Sequence, residues 1–421
     1  MARSKHVNPP LQFFFPNPVI AKIEKMNKNL DIIVYGATGF TGGLCVKYLK
    51  EYYPDINWGI AGRSKEKLIS LSNLHSLDCE MFVADGDDST ALDKITEKTK
   101  VVLSTAGPFH RYGSKLVASC VKNSTHYVDI TGENYWVKEM ITKHHEEAQK
   151  KSIRIIPSCG FDSIPSDLGS FFAARSFGNK VKSIHSFYTW KGEASGGTIE
   201  TMFSASDLKL NRSSSGAFGL NPKDSVSANQ KKYTTDKVSI EKNSDINAWT
   251  GPFIMAMANT KVVRRGAALL AEQNQGYGED FIYKEHAYYS NRMSAYLGTL
   301  SLGLVGLAVF TPLKKIIRPF LKKPGQGPSQ KVMDEGFFKC KFVVTGENDI
   351  KKTYVMSGQG DPGYKVTSKL VCESALSLLG DASILPGGQK YGGILTVSSG
   401  LGDVLISRLQ KAGISFASGK K

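Results

Sequence analysis

A chain of 421 residues with 41% hydrophobic and 22% charged side chains has the make-up of a two-domain globular protein, which excludes the disordered and fibrous classes. Its net charge of +16 admits nucleic acid, a membrane surface or an anionic cofactor; without a zinc-finger or RNA-binding signature, no nucleic-acid partner is expected. Six cysteines (Cys45, Cys79, Cys120, Cys159, Cys340, Cys372) are dispersed without a CxxC pair, which argues against a metal site or disulfide framework and for a reducing compartment.

Residues 1–28 read as an N-terminal extension. Pro16 and Pro18 break the stretch from Leu11 to Ile20, so no signal peptide is expected, and Phe13-Phe14-Phe15 fits either a strap on the protein body or an anchor.

From Leu30 the rhythm is strand, turn, helix. Leu30–Tyr35 is an apolar strand ended by Gly36, Phe40–Lys50 has helical spacing, and Asn57–Ala61 is a second strand. Ser64 caps a helix running to about Ser72. Met81–Ala84, Val101–Leu103, Tyr127-Val128 and Ile153–Ile156 supply four more strands. Strands alternating with helices predict a doubly wound parallel sheet, an α/β Rossmann domain over 29–165.

A second α/β domain, the substrate domain, is expected over 166–399. His185–Trp190, Gly336–Thr345 and Thr353–Gly358 read as strands, Ser204–Ser244 as loops with room for a helix, and Val366–Leu379 as a helix. Residues 400–421 hold an amphipathic helix, Leu401–Lys411, expected to pack back on the first domain. His144 and His145 lie in the charged stretch Lys143–Lys151, which reads as a solvated helix face.

Ala295–Leu313 lacks any charge, and a basic stretch over 314–331 follows it with Lys314, Lys315, Arg318, Lys322, Lys323 and Lys331 and no acid. The run is almost long enough to cross a hydrocarbon core of about 30 Å. A buried core helix, a spanning helix and a segment seated in one lipid leaflet all fit; Gly298, Gly303, Gly306, Pro312 and Pro319 weaken the spanning case. Basic residues suit anionic headgroups, at about 1 kcal/mol per charge near the surface.

The chemistry begins at Gly36-Ala37-Thr38-Gly39-Phe40-Thr41-Gly42, a GxxGxxG turn between strand and helix. Glycines there let the backbone approach a pyrophosphate seated on the N–H groups of the helix start. NAD-specific enzymes usually end the next strand with an acid that holds the ribose 2′-OH. Here it ends Ala61-Gly62-Arg63-Ser64-Lys65, so Arg63 is expected to stack on adenine and pair with a 2′-phosphate, with Ser64 assisting, which selects NADP(H). Asp85 is placed to meet the adenine amine, and Thr105, Ala106, Gly107 and Pro108 to flank the nicotinamide ribose.

These motifs, with Tyr112-Gly113, Tyr127-Val128-Asp129, Thr131-Gly132-Glu133 and Cys159-Gly160-Phe161-Asp162-Ser163-Ile164-Pro165-Ser166-Asp167, resemble the saccharopine dehydrogenase-like oxidoreductases, and the chain is similar to the mycobacterial trans-acting enoyl reductases. The resemblance covers nearly the whole chain. It implies an NADP-type Rossmann domain with an α/β substrate domain, a lipid-droplet or intracellular-membrane setting on the cytosolic face, and a role in lipid or glycolipid metabolism. It makes Asp129 and Cys159 candidates near the substrate, although Cys159 reads equally as a buried small residue and Asp162 and Asp167 as helix caps.

The leading expectation is an NADP(H)-dependent oxidoreductase acting by hydride transfer on a lipophilic small molecule, enoyl reduction included, and held at a membrane or lipid droplet through 295–331. A non-catalytic NADP-binding lipid-droplet protein and an amino-acid dehydrogenase of the saccharopine type are the alternatives; for the last, Arg264 and Arg265 could clamp a carboxylate. A homodimer stays open.

Overall fold

Leu30–Tyr35 forms β1 of a parallel sheet in the computed structural model, which describes residues 28–193, 216–236, 239–321 and 325–419. The Phe-rich run at 13–15 and, within the Ser/Gly-rich stretch 204–244, residues 204–215 and 237–238 lie outside the described residues. The chain continues α1 (Phe40–Tyr52), β2 (Trp58–Gly62), α2 (Lys65–His75), β3 (Glu80–Val83), α3 (Ser89–Lys98), β4 (Thr99–Ser104), α4 (Phe109–Tyr112), α5 (Ser114–Lys122), β5 (His126–Asp129), α6 (Asn134–Lys150), β6 (Arg154–Ile156) and α7 (Ile164–Phe177). Ser64 does cap α2, its hydroxyl accepting from the Lys67 N–H.

The second half forms β7 (Val181–Lys191), β8 (Glu241–Asn243), β9 (Ala248–Gly251), α8 (Ala256–Glu272), β10 (Ile282–Tyr289), α9 (Arg292–Phe310), β11 (Phe337–Gly346), β12 (Lys351–Gln359), α10 (Thr367–Ser377), β13 (Gly393–Ile394), α11 (Gly402–Lys411) and β14 (Ser415–Ser418), with a few short helices between.

The first sheet runs β13-β6-β5-β4-β1-β2-β3, all parallel, and the second β14-β12-β11-β7-β10-β9-β8, mixed. Gly393–Ile394, read from sequence as part of the second domain, instead completes the first sheet beside Arg154 and Ile155. His145 secures it by accepting the Ile394 N–H at 2.9 Å, so this histidine is not on a merely solvated face. Desolvation, with nearby Arg265, lowers its pKa to about 4 and keeps the ring neutral as an acceptor.

One apolar core unites the two sheets: Val34, Ile60 and Leu103 share it with Phe171, Phe342 and Leu370. Buried on nearly every side, its polar Ser166, Asp167 and Ser170 included, α7 lies between the layers. Gly169 lets it close on β11, since a Cβ there would lie 2.3 Å from the Phe342 ring. A second core, with Ile33, Val102, Leu116, Tyr127 and Trp136, fills the opposite face of the first sheet.

The core-helix reading of 295–313 does not hold. Only 6% of Arg292–Val309 is buried, and Leu297, Leu300, Leu304 and Leu307 are each more than half exposed. The apolar stretch stands outside both cores as an arm between β10 and β11.

Candidate cofactor and active site

The strand order reverses between β1 and β4, and in open α/β sheets the crevice beyond the carboxyl ends of such strands is where ligands bind. Three features shape that crevice. Gly36 sits at φ +83°, where a Cβ would also press on the Ala106 nitrogen at 2.9 Å. Gly42 packs so closely that a Cβ would lie 2.2 Å from the Gly36 carbonyl oxygen. Gly39, exposed at the N-cap of α1, has no side chain to bond the helix's first N–H groups. Those donors and the positive end of the helix dipole are the chemistry a pyrophosphate needs.

Thr105 braces the turn from the neighbouring strand. Its N–H donates to the Tyr35 carbonyl at 2.9 Å and its hydroxyl to the Gly36 carbonyl at 3.2 Å. Ala106, Gly107 and Pro108 follow along the crevice, and Gly107 is exposed on its floor. Phe40, the first residue of α1, meets the edge of Tyr364 at 5.3 Å. The Gly327 backbone lies on its ring so tightly that a Cβ there would fall 2.1 Å from a ring carbon.

At the adenosine end, Arg63 is exposed, and its guanidinium stacks over Tyr112 at 5.5 Å. Tyr112, which carried no assigned role in the sequence, rests on Gly86, so α4 buttresses the loops after β2 and β3. Ser64 Oγ donates to Glu66 Oε2 at 2.8 Å, and Asp85 Oδ1 accepts the Asp87 N–H at 3.0 Å. With a cationic end to β2 and an uncapped glycine turn, these residues fit a 2′-phosphorylated dinucleotide.

Asp129 and Cys159 lie deeper. Asp129 is wholly buried, and its Oδ1 accepts the Thr131 and Ser158 N–H groups, both at 2.9 Å. Its carboxyl interacts with the buried Tyr127 hydroxyl, which in turn meets that of Ser104. Desolvation raises the Asp129 pKa to about 7 against the pull of the two amides. Cys159 Sγ points back to the Ile156 carbonyl at 3.2 Å, and burial holds the thiol protonated, well above its usual range. Asp167 caps a different helix from its own: it accepts the Ser398 N–H and hydroxyl, both at 2.7 Å, at the start of the short helix Val397–Gly400. Asp162 is half-buried at the foot of α7, where desolvation raises it to about 6.

A cluster that sequence reasoning left without a role sits at the mouth. Glu133 accepts the Phe109 N–H at 2.7 Å, the His110 N–H at 3.1 Å and the Tyr135 hydroxyl at 2.8 Å, and its Oε2 lies 2.6 Å from His110 Nδ1. Thr131-Gly132-Glu133 was visible as a motif; the convergence of α4 and α6 on it was not.

Arg264 and Arg265 are buried and committed to structure. Arg264 pairs with Asp236 at 2.6 Å and donates to the Ala217 and Tyr283 carbonyls, while Arg265 holds the Leu220 and Ile394 carbonyls. They offer no carboxylate clamp. The second domain reaches the loop after β5 through Met255, which approaches Gly132, and next to it in sequence Phe253 stacks on Tyr188 at 4.5 Å and touches Trp190.

Residues 32–156 match the family described as saccharopine dehydrogenase NADP binding domain. The chain is 31% identical to the trans-acting enoyl reductases of Mycobacterium ulcerans and Mycobacterium leprae, across 92% of its own length and 97% of theirs. Among solved structures, apo saccharopine dehydrogenase (L-Glu forming) from Saccharomyces cerevisiae shares the fold, with a TM-score of 0.52 at 13% identity, over 93% of this chain and 100% of that one.

Proposed function

Because the chain belongs to the saccharopine dehydrogenase-like oxidoreductases and takes NADP(H) as its cofactor, we propose that it reduces a double bond in a lipophilic substrate at the surface of a membrane or lipid droplet. The observation that carries this reading is α9, a 19-residue apolar helix left almost entirely outside the protein body. Contiguous exposed apolar surface of this kind marks an interaction site.

Two further features support a lipid surface as its partner. At the base of α9, Arg292 stacks over Trp249 and Tyr296, at 5.7 and 5.5 Å, and such amphipathic rings favour a headgroup layer. Beyond α9, Lys315 and Arg318 alternate with the exposed Ile316 and Phe320, an amphipathic continuation suited to one anionic leaflet.

The substrate class follows from the mouth of the crevice. Met255 reaches the loop after β5, the aromatic cluster of Phe253, Tyr188 and Trp190 packs behind it, and the buried arginines are consumed elsewhere, so an acyl chain fits better than a polycarboxylate amino acid. By relationship to the enoyl reductases, a carbon–carbon double bond conjugated to a carbonyl is the preferred group. When bound, NADPH supplies the hydride; the chain's own part is to fix the turn, dry the pocket and handle a proton.

The test is NADPH oxidation by the full-length protein with a lipid extract presented in anionic vesicles, together with vesicle flotation. Turnover that needs the extract, with co-flotation of the protein, supports the reading. Flotation without turnover favours a binding protein at the lipid surface, and failure to float removes the membrane half of the proposal.

A further inference from the structure

From Ile153 to Phe171 every residue is buried except Asp162. This segment holds β6, the Cys159–Asp167 motif and the start of α7, so water reaches it at a carboxylate alone. Asp162 reads as a helix cap in the sequence, yet it caps nothing. Among the described residues its carboxyl has no hydrogen-bond or ion-pair partner.

Its two chain neighbours are tied to opposite walls of the crevice. The Phe161 N–H donates to the Thr367 hydroxyl at 3.0 Å, and Thr367 follows the turn Pro362–Val366, whose Tyr364 meets Phe40 at the head of α1. The Ser163 hydroxyl donates to Asn259 Oδ1 at 3.1 Å. Asn259 adjoins Ala258, whose carbonyl accepts from Asn134 Nδ2, and lies one turn beyond Met255, which approaches Gly132. Asp162 stands at the fork between these walls, beyond the carboxyl end of β6 and on the same edge of the parallel sheet as the exposed Gly107 and Gly132. Desolvation raises its pKa to about 6 although water still reaches it, a combination that belongs to the floor of a cleft and not to an outer surface.

We propose that Asp162 is the acid that supplies the proton accompanying hydride transfer. This rests on the reading of the chain as an NADPH-dependent reductase. As the π bond of a conjugated substrate breaks, the carbon remote from the carbonyl gains the hydride, and the carbon next to the carbonyl takes the proton from the Asp162 carboxyl. The O–H bond breaks, NADP+ and a carboxylate remain, and the carboxylate regains its proton from water. The titratable groups on the elements around it are engaged elsewhere: Asp129 with the Thr131 and Ser158 amides, the Cys159 thiol with the Ile156 carbonyl, and Glu285, behind Asn259, with Tyr283. Tyr364, on the other wall, packs on Phe40. None of them shifts Asp162, which responds to desolvation alone.

The experiment is carboxyl footprinting of the full-length protein at pH 6, with a water-soluble carbodiimide and an amine, read by peptide mass spectrometry. It is run on the free protein, with NADP+, and with 2′-phospho-ADP-ribose, which lacks the nicotinamide. Asp162 is expected to be modified in the free protein, where the wholly buried Asp129 and Asp167 are not. NADP+ should lower that modification about tenfold, because a seated nicotinamide excludes solvent from the floor beneath it, and the analogue should hardly change it. No modification in the free protein, or equal modification with both ligands shown by calorimetry to be bound, overturns the proposal. The second arm is NADPH oxidation with the lipid extract. Asp162→Asn should lower kcat about a hundredfold or more with NADPH affinity unchanged, and Asp162→Glu should recover part of the loss. The wild-type rate should fall as pH rises through about 6, a fall that the Asn variant lacks. A kcat untouched by Asp162→Asn also overturns the proposal. If calorimetry finds neither nucleotide bound, the cofactor reading fails, and this proposal fails with it for that separate reason.

Discussion

Arg408 Nε lies 2.8 Å from Glu373 Oε2, joining the last helix to the helix that covers α1. The other oxygen of this fully buried carboxylate accepts the hydroxyls of Tyr48, at 2.6 Å, and Tyr53, at 2.5 Å, which belong to α1 and its C-cap. One charge thus fastens the C-terminal segment to the helix whose other end forms the cofactor turn. Removing one member of a buried ion pair typically costs about 3–5 kcal/mol because its partner is stranded. Glu373→Ala is therefore expected to lower unfolding stability by about that amount in urea denaturation, and Glu373→Gln, which keeps the acceptor for the tyrosines, by clearly less.

The glycine turn makes a sharper prediction. Gly42→Val places side-chain carbon where the Gly36 carbonyl oxygen already lies, so NADPH binding should be lost, as read by the fluorescence of the bound nicotinamide. Arg63→Ala leaves the turn intact and removes one charge-assisted contact, so NADPH affinity should fall about tenfold and NADH affinity, which loses only the stacking on adenine, by clearly less.

Three wholly buried carboxyls give the fold a pH dependence. Desolvation raises Asp129 and Glu285 to about 7 and Asp167 to about 6. Each therefore holds a proton in the folded state that it would release when unfolded. Their contribution is complete below the usual carboxylate range and is lost as pH rises through about 6 to 7. Asp129→Asn keeps an acceptor for the Thr131 and Ser158 amides and needs no proton. Its stability in denaturant should fall less steeply than that of the wild type between pH 5 and pH 8.

Replacing Leu297, Leu300 and Leu304 together by Ser should abolish vesicle flotation while shifting the unfolding free energy by only a few tenths of a kcal/mol per site, the usual scale for exposed positions. A large loss of stability would mean that α9 packs against something in the folded protein.

The parallel sheet was legible because every strand but one carries its own apolar run and is followed by turn and helix signals. β13 was not. It has two residues, and it is placed by the backbone of Arg154 and by His145, partners far away in sequence. β10 and α8 were missed for a related reason: they bury charged residues, Glu285, Arg264 and Arg265, whose partners come from distant segments and which read as surface until those partners are seen. The cofactor turn is local and could be read directly. The His110–Glu133–Tyr135 cluster is assembled by two loops and two helices, and no spacing rule finds it.

The Gly327 backbone, where the exposed arm rejoins the body, is pressed flat against Phe40 at the head of the cofactor helix. The end of the arm and the start of the cofactor helix thus meet in van der Waals contact. Whatever factor anchoring to a bilayer imposes on NADPH affinity, NADPH must return on anchoring, since linkage is reciprocal. A change in vesicle flotation on adding NADPH would therefore measure that coupling.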